Sequence, residues 1–308
     1  METIKKHPEG LKVLFFTEMW ERMSYYGMRG LLILFMTAGI SEGGLNFDNI
    51  SASAIYGIYA SSVYLATLPG GWFADRVIGQ QKAIFYGGII IIFGHLSLVI
   101  SNLTFFYLGL SLIVIGTGLL KPNISAIVGE LYEKNDSLKD AGFTIFYMAI
   151  NLGSILGFFI CGYLGENIGW HYGFAASGVG MTFGLIQYYC YRNKLNGIGS
   201  SPEKSLEEKT IKIIKIAIPL LTVITLSIII FCFYNNFYIS ASYIANSMTL
   251  GIVLITFAFF LYIFFFGRLS KIEKKKVFLI SILFIGAALF WAGFDQAGTS
   301  FNIFAKEY

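Results

Sequence analysis

Long apolar stretches separated by short polar breaks dominate this chain. Nine of them reach about 20 residues, the length that a helix needs to cross a bilayer. The breaks are rich in Gly, Asn, Ser and Asp, as is typical of turns. Because a helix satisfies its backbone hydrogen bonds internally, the pattern predicts an all-α integral membrane protein. The predicted spans are residues 11–38, 51–73, 82–101, 104–128, 141–164, 172–191, 212–234, 243–266 and 277–302.

The composition narrows the class of protein further. Hydrophobic residues make up 56% of the chain and charged residues 13%, against about 25% charged residues in a soluble domain. The three cysteines lie in separate apolar stretches, with neither a paired nor a metal-ligand spacing. The spans also show no nucleophile–base pair and no phosphate-binding loop. We therefore expect no metal site, no enzyme activity and no nucleic-acid partner.

The basic residues predict the orientation of the helices. Outside the membrane core, the Lys and Arg residues other than Lys306 lie in or beside alternate connections. By the positive-inside rule these connections face the cytoplasm, and so does the N-terminus. The first residues lead into a long charged helix without a small-residue cleavage site, which favours a cytoplasmic tail over a signal peptide.

The first predicted span carries charges where lipid disfavours them. At about 100° per residue, Glu18, Arg22, Tyr25 and Arg29 fall on one narrow face of the helix, flanked by Glu21 and Tyr26. A charge in hydrocarbon costs at least about 2.5–3.5 kcal/mol, and such residues mark ion or substrate pathways by default. A surface amphipathic helix is the competing interpretation, but it would need a wider polar face.

Other spans supply partners for this face. Lys121 lies mid-span before Pro122, Asn151 is an amide between apolar neighbours, and Asp295 is a carboxylate within the last span. The membrane core then holds three basic and three acidic residues, which suggests a paired network because buried charges need partners. The basic members are Arg22, Arg29 and Lys121, and the acidic members are Glu18, Glu21 and Asp295.

The connection between the second and third spans reads GGWFADRVIGQQK. Its glycines allow helices to approach closely, and a carboxylate at a helix end can pair with nearby basic groups. The pattern resembles the cytoplasmic-loop motif of the major facilitator superfamily. Two interpretations stay open, a latch for a cytoplasmic gate and a tight, well-anchored turn. The residues concerned are Gly71, Asp75, Arg76 and Gly79.

Several separated motifs resemble one transporter family. The stretch Glu18–Gly27 looks like the first-helix signature of the proton-dependent oligopeptide transporter (POT) family, with Met23 where the family usually has Phe. The stretches Gly118–Asn123, Phe146–Ser154 and Phe290–Gln296 are similar to further motifs of that family. The resemblance therefore covers nearly the whole chain.

The resemblance implies roles for individual residues. In the family, first-helix acids and an arginine, together with a fourth-helix lysine, take part in proton coupling. These positions are Glu18, Glu21, Arg22 and Lys121. The proton is then the coupling ion, and no cofactor is implied. Asp295 corresponds to a carboxylate, often Glu, that pairs with Arg29. The implied peptide contacts are Arg22, Tyr25, Tyr26, Arg29, Tyr64, Lys121, Asn151, Trp291 and Asp295.

The resemblance also implies a domain organisation. Residues 1–192 would form the N-terminal six-helix bundle and residues 193–211 a cytoplasmic linker. Residues 212–276 would supply two accessory transmembrane helices with a basic loop, as in prokaryotic members, and residues 277–308 the first helix of a C-terminal bundle. Since the family has twelve core helices, we expect an incomplete chain that does not transport by itself. Its expected location is the inner membrane of a prokaryote.

The implied function is proton-coupled symport of di- and tripeptides by alternating access. The residues suit a peptide zwitterion, because Arg and Lys can hold its carboxylate and acidic groups can hold its ammonium. Two other interpretations stay open. One is a family member that moves another small substrate, and the other is a membrane sensor that binds peptide without transporting it.

Overall fold

The computed structural model describes residues 6–133, 136–202 and 240–307, with isolated positions 206, 207, 210 and 213. Every regular element in those ranges is helical, which confirms the all-α prediction. Apart from position 213, the predicted span 212–234 lies outside the described residues. The helices are α1 (Glu9–Thr37), α2 (Asn49–Phe73), α3 (Gln80–Val99), α4 (Leu103–Glu130), α5 (Lys139–Asn167), α6 (Trp170–Tyr191), α7 (Ala241–Phe266), α8 (Lys271–Phe294) and α9 (Ser300–Glu307).

Membrane-spanning character is clearest in five segments of the described chain. The segments Gln80–Val99, Leu103–Glu130, Lys139–Asn167, Ala241–Phe266 and Lys271–Glu307 are long and apolar enough to cross a bilayer. The other three long helices are more polar. Helix α1 carries the charged face predicted above, α2 is rich in Gly, Ser and Tyr, and α6 is rich in Gly and Tyr.

The first six helices pack into one bundle. Helix α1 packs against α5 and α6, α3 packs against α4 and α6, and α2 packs against α4. Helix α7 lies beside α2. Small residues let these backbones approach, as expected for helices packed in a membrane. A Cβ at Gly70 would overlap the Gly118 carbonyl oxygen, and one at Gly87 would lie 2.7 Å from the Gly116 carbonyl oxygen.

Two apolar clusters lie along α1 and leave its charged residues between them. One cluster surrounds the second half of α1 from Met23 to Ala38, with side chains of α2, α4, α5 and α6. The other surrounds Leu11, Val13 and Leu14, with side chains of α3, α4, α5 and α6. Glu18, Glu21 and Arg22 therefore lie in the middle of the bundle and far from either end of the helix.

The last predicted span differs from the structure in one respect. Helix α8 ends at Phe294, and Asp295–Gly298 forms a 3-10 turn before α9 begins at Ser300. Asp295 thus caps a helix end and is not a mid-helix residue. The hydropathy pattern did not reveal the end of the helix, because the residues on both sides of it are apolar.

The predicted linker also begins in an ordered form. Leu195 is fully buried in the second apolar cluster, and Gly197 and Gly199 adopt positive φ angles of 79° and 66°. The backbone N–H of Gln81 donates to the Gly199 carbonyl at 2.9 Å. The stretch after α6 is therefore packed against the start of α3.

Candidate functional site

The centre of the candidate site is a buried group of three charges on α1. Glu18, Glu21 and Arg22 have relative exposures of 2%, 1% and 2%. Arg22 Nε lies 3.1 Å from Glu18 Oε1 and also donates a short hydrogen bond to Glu21 Oε2. The one-turn spacing of Glu18 and Arg22 places both side chains on the same helix face. One guanidinium thus serves two carboxylates.

This group is only partly satisfied by its own contacts. Glu18 Oε2, Glu21 Oε1 and Arg22 Nη2 are buried and have no hydrogen-bond partner among the described residues. Buried polar atoms are normally paired, so each such exception requires an explanation. The two carboxylate oxygens can accept a proton or a hydrogen bond, and Arg22 Nη2 can donate to a water molecule or an anionic ligand group.

Two glycines of α5 bring that helix against the charged group. A Cβ at Gly153 would overlap the Met19 carbonyl oxygen and lie 2.8 Å from Arg22 Cβ. A Cβ at Gly157 would lie 2.7 Å from the Gly27 backbone nitrogen. The small-residue spacing of Gly153 and Gly157 thus lets α5 approach the α1 backbone closely. This approach seals one side of the charged group with backbone, which leaves little room for water there.

Lys121 approaches the group from α4. Its Nζ lies 4.5 Å from the centre of the Tyr64 ring on α2, a cation–π geometry. It also interacts electrostatically with Glu18 and Glu21, but no carboxylate within the described chain pairs with it directly. The predicted network therefore exists in part, with Lys121 as its free cation.

Tyrosines line the space beside the arginines. The Arg22 guanidinium lies 5.1 Å from the centre of the Tyr25 ring, and Tyr25 meets Tyr26 edge to face with ring centres 5.3 Å apart. Tyr26 in turn contacts Phe158 of α5. These rings give the charged group an aromatic wall of the kind that accommodates side chains of different shapes.

A second charged contact lies two turns further along α1. Arg29 Nη2 donates to Asp295 Oδ1 at 2.7 Å, and Arg29 Nε donates to the Tyr56 hydroxyl. The Arg29 guanidinium also lies 5.4 Å from the Tyr56 ring centre. The predicted pairing of Asp295 with Arg29 is confirmed.

Two of the predicted ligand contacts lie apart from these charges. Asn151 is exposed, and its amide donates to the Tyr147 carbonyl of its own helix at 3.1 Å. Trp291 is also exposed and packs edge to face against Phe294. No hydrogen bond joins either side chain to the charged group in the part of the chain that the structure describes. Their role in binding stays a prediction.

The predicted gating loop forms a tight turn. Ala74–Ile78 is one turn of π-helix that ends at Gly79, whose φ of 84° suits glycine. A Cβ at Gly79 would lie 2.9 Å from the Ser200 carbonyl oxygen. Asp75 has no ion-pair partner within the described ranges. Gly71, Asp75 and Arg76 thus lie at an anchored junction, and a gating role for them stays a prediction.

The sequence interpretation missed Tyr56, Tyr59, Ser24 and Asn302. Tyr56 and Tyr59 lie on the face of α2 that meets α1, and the Tyr59 hydroxyl is buried without a described partner. Their spacing of three residues was the available signal. Ser24 Oγ and His95 Nε2 share a buried hydrogen bond of 2.6 Å. Asn302 donates to the Gly30 carbonyl oxygen at 2.9 Å.

Known proteins resemble this chain over almost its full length. The POT family model matches residues 81–308. The "Uncharacterized transporter YclF" of Bacillus subtilis is 43% identical over 98% of this chain, and the "Di-/tripeptide transporter" of Lactococcus lactis subsp. lactis is 37% identical over 99% of it. The chain spans about 61–62% of the length of these two relatives.

Solved structures agree in fold. A POT family transporter in complex with 5-aminolevulinic acid superposes with a TM-score of 0.90 at 34% identity, over 99% of this chain and 63% of that one. Its fold is that of the major facilitator superfamily, and the family consists of transporters rather than enzymes. With a family model over most of its residues and relatives above one-third identity, this chain is an integral membrane protein that belongs to the POT family.

Proposed function

We propose that this chain is part of a proton-coupled symporter for di- and tripeptides. The observation that carries the proposal is the buried Glu18–Glu21–Arg22 group, in which each residue retains one polar atom without a described partner. The proposal places the protein in a bacterial inner membrane with its N-terminus in the cytoplasm. The names of the peptide-transporting relatives support the substrate class.

The two glutamates suit proton exchange. Both compete for the single Arg22 guanidinium in a water-poor interior, where an unpaired carboxylate is strongly disfavoured. When Arg22 turns to one of them, or to a ligand, the other must bind a proton or find another cation. Lys121 is the nearby cation that pairs with no carboxylate of the described residues. Proton uptake and ligand binding are thereby linked through one shared arginine.

The ends of a short peptide match the available groups. The free Arg22 Nη2 and Lys121 Nζ can both donate to a peptide carboxylate. A carboxylate released by Arg22 can accept from the peptide ammonium. Tyr25, Tyr26 and Tyr64 lie beside these groups and can contact the peptide side chains through ring faces. Charge pairing then fixes the peptide backbone, and the aromatic wall tolerates varied sequences.

The first test is the binding of radiolabelled dialanine to the purified chain in nanodiscs. Dialanine should bind, whereas dialanine amide, which lacks the carboxylate, should bind at least about tenfold more weakly because it loses a charge-assisted hydrogen bond of about 1.5–3 kcal/mol. Lys121→Gln should weaken dialanine binding and leave that of the amide little changed. The control is Arg192→Gln, which removes an exposed cation outside the spans. Equal binding of the acid and the amide would contradict the proposal.

The proton link is measured separately. In weak buffer with a pH-sensitive dye, dialanine binding should take up protons, and Glu21→Gln should abolish that uptake. Proton-independent binding would contradict symport while leaving peptide binding intact. The prediction that these 308 residues do not transport by themselves is tested by dialanine uptake into proteoliposomes under a pH gradient.

Another small substrate is the second candidate. The structural neighbour with a TM-score of 0.90 holds 5-aminolevulinic acid, which shares an amine and a carboxylate with a dipeptide at a similar spacing. Competition of this compound against bound dialanine distinguishes the two. Displacement by 5-aminolevulinic acid at concentrations well below those of unlabelled dialanine would favour the second candidate.

A further inference from the structure

The turn after α8 and the first residues of α9 touch the first two helices at three points. Asp295 Oδ1 accepts from Arg29 Nη2 at 2.7 Å, and Asn302 Nδ2 donates to the Gly30 carbonyl oxygen at 2.9 Å. Between them, Gly298 lies so close to Tyr56 that an added Cβ would overlap its hydroxyl. The three contacts fall within eight residues of chain; two meet the adjacent α1 residues Arg29 and Gly30, and the third meets Tyr56 of α2. We refer to residues 295–302 as the clasp.

The Asn302 contact differs from those of other asparagines in this protein. The amides of Asn123, Asn151 and Asn167 each donate to the carbonyl four residues earlier in their own helix. Asn302 instead reaches a carbonyl 272 positions away in sequence. Its amide therefore joins two separate parts of the chain.

The lack of a side chain at Gly298 determines how closely the clasp can approach Tyr56 on α2. The Tyr56 side chain is buried, and its hydroxyl already accepts a hydrogen bond from Arg29 Nε. Because that bond fixes the hydroxyl, an added methyl group at position 298 has no easy way to displace it. Glycine at 298 thus allows Tyr56, Arg29 and Asp295 to meet at one place.

We propose that Asn302 and Gly298 are positioning residues that hold Asp295 on Arg29 and thereby shield Arg29 from ligands. In this arrangement the Asp295 carboxylate occupies the guanidinium edge that a ligand carboxylate would use. Arg29 becomes available when the clasp lifts, which breaks the Asn302–Gly30 hydrogen bond and the ion pair together. The importance of this shielding for transport rests on the proposed function, whereas the contacts that hold Asp295 on Arg29 are seen in the structure.

Site-resolved modification by phenylglyoxal tests the clasp in the purified chain in nanodiscs. The reagent labels accessible arginines, and mass spectrometry of peptides reports the rate at Arg29, with exposed Arg192 as internal reference. Asn302→Asp keeps the size of the side chain but removes the donor. It should raise the Arg29 rate about fivefold, the factor for about 1 kcal/mol of lost hydrogen bonding. The matched control is Asn167→Asp, which loses a bond within one helix and should leave the rate unchanged.

A second pair of variants tests the approach distance. Gly298→Ala should raise the Arg29 rate, whereas Gly293→Ala should not, because nothing lies within 4 Å of a Cβ at 293. Asp295→Asn removes the ion pair and therefore gives the reference rate of modification for an unshielded Arg29. The proposal is overturned if Asn302→Asp matches the wild-type rate while Asp295→Asn raises it, or if no variant raises it. The readout needs neither ligand nor transport, so it fails or succeeds independently of the proposed function.

Discussion

Arg22 and Arg29 lie two turns apart on α1, and both pair with carboxylates in different ways. Arg22 finds its partners within four residues on its own helix, and all three side chains are buried. Arg29 pairs with a residue 266 positions later, whose side chain is 35% exposed. The first contact persists wherever the helix persists. The second depends on how two distant parts of the chain meet, so it can open without unfolding either.

The two arginine–carboxylate contacts differ in how strongly they resist the loss of a partner. A buried charge group resists the loss of a partner, because the charge left behind is then unpaired in a medium of low dielectric. A partly exposed pair contributes less, because water and salt replace the lost partner. Under the proposed function, proton exchange falls to the inner contact and reversible closure to the outer one. The following predictions test this division.

The largest effect is expected for Arg22→Gln. It leaves Glu18 and Glu21 buried without their cation, which should lower the free energy of unfolding by about 3–5 kcal/mol. Denaturation in mixed SDS–detergent micelles measures the change. As a control, adding Glu21→Gln to this variant should recover part of the loss, since one unpaired carboxylate is removed. No difference in stability between wild type and Arg22→Gln would place this group outside the water-poor interior.

The next effect is expected for Gly153→Ala. The added methyl group meets the α1 backbone at Met19 and must push α5 away from Arg22, at a cost of about 1–3 kcal/mol for overpacking. The same unfolding assay applies. The matched control is Gly162→Ala on the same helix, where nothing lies within 4 Å of the new Cβ. Equal stability of the two variants would mean that the close packing beside the inner contact is not required.

Asp295→Asn should have a smaller effect. The Arg29 pair is partly exposed, and Tyr56 still accepts from Arg29 Nε in the variant. The expected loss is about 1 kcal/mol or less, well below that of Arg22→Gln. A loss as large as that of Arg22→Gln would remove the distinction between the two contacts.

The smallest effect is expected for Lys194→Gln. Lys194 Nζ lies 3.1 Å from Glu9 Oε2, but both side chains are largely solvent-exposed. The pair should contribute at most a few tenths of a kcal/mol, and salt should screen what remains. Melting temperatures of wild type and variant, measured at low and high salt, should converge as salt rises. A salt-independent loss would show that the lysine acts through packing.

The sequence predicted the inner contact better than the outer one for a physical reason. Helical spacing places Glu18 and Arg22 side by side whatever the rest of the chain does, so their spacing of four positions is a sufficient signal. The Arg29–Asp295 pair was predicted from family resemblance, since spacing within one helix carries no information about residue 295. Asn302 and Gly298 have no local signature, because their importance depends on the position of α1 and α2.

The ends of the helices were also predicted well only where the local sequence pattern marks them. Predicted spans matched the observed helices closely where an apolar run lies between two polar breaks. Helix α7, for example, was predicted to begin at residue 243 and begins at Ala241. The helix end at Asp295 was missed because apolar residues continue on both sides. The stretch after Arg192 was predicted to be a linker, which stays a prediction. Residue pattern alone did not show that glycines at its start allow a turn that packs against α3.

The contact between Gly70 and Gly118 has a consequence for changing the ligand preference of this protein. Lys121 comes three positions after Gly118, and the contact at Gly118 is backbone against backbone. The position of Lys121 relative to α2 is therefore set by backbone atoms, which a side-chain substitution cannot make smaller. Ligand preference is best altered through side chains that extend from this rigid pair of helices, above all Tyr64, with glycine retained at positions 70 and 118.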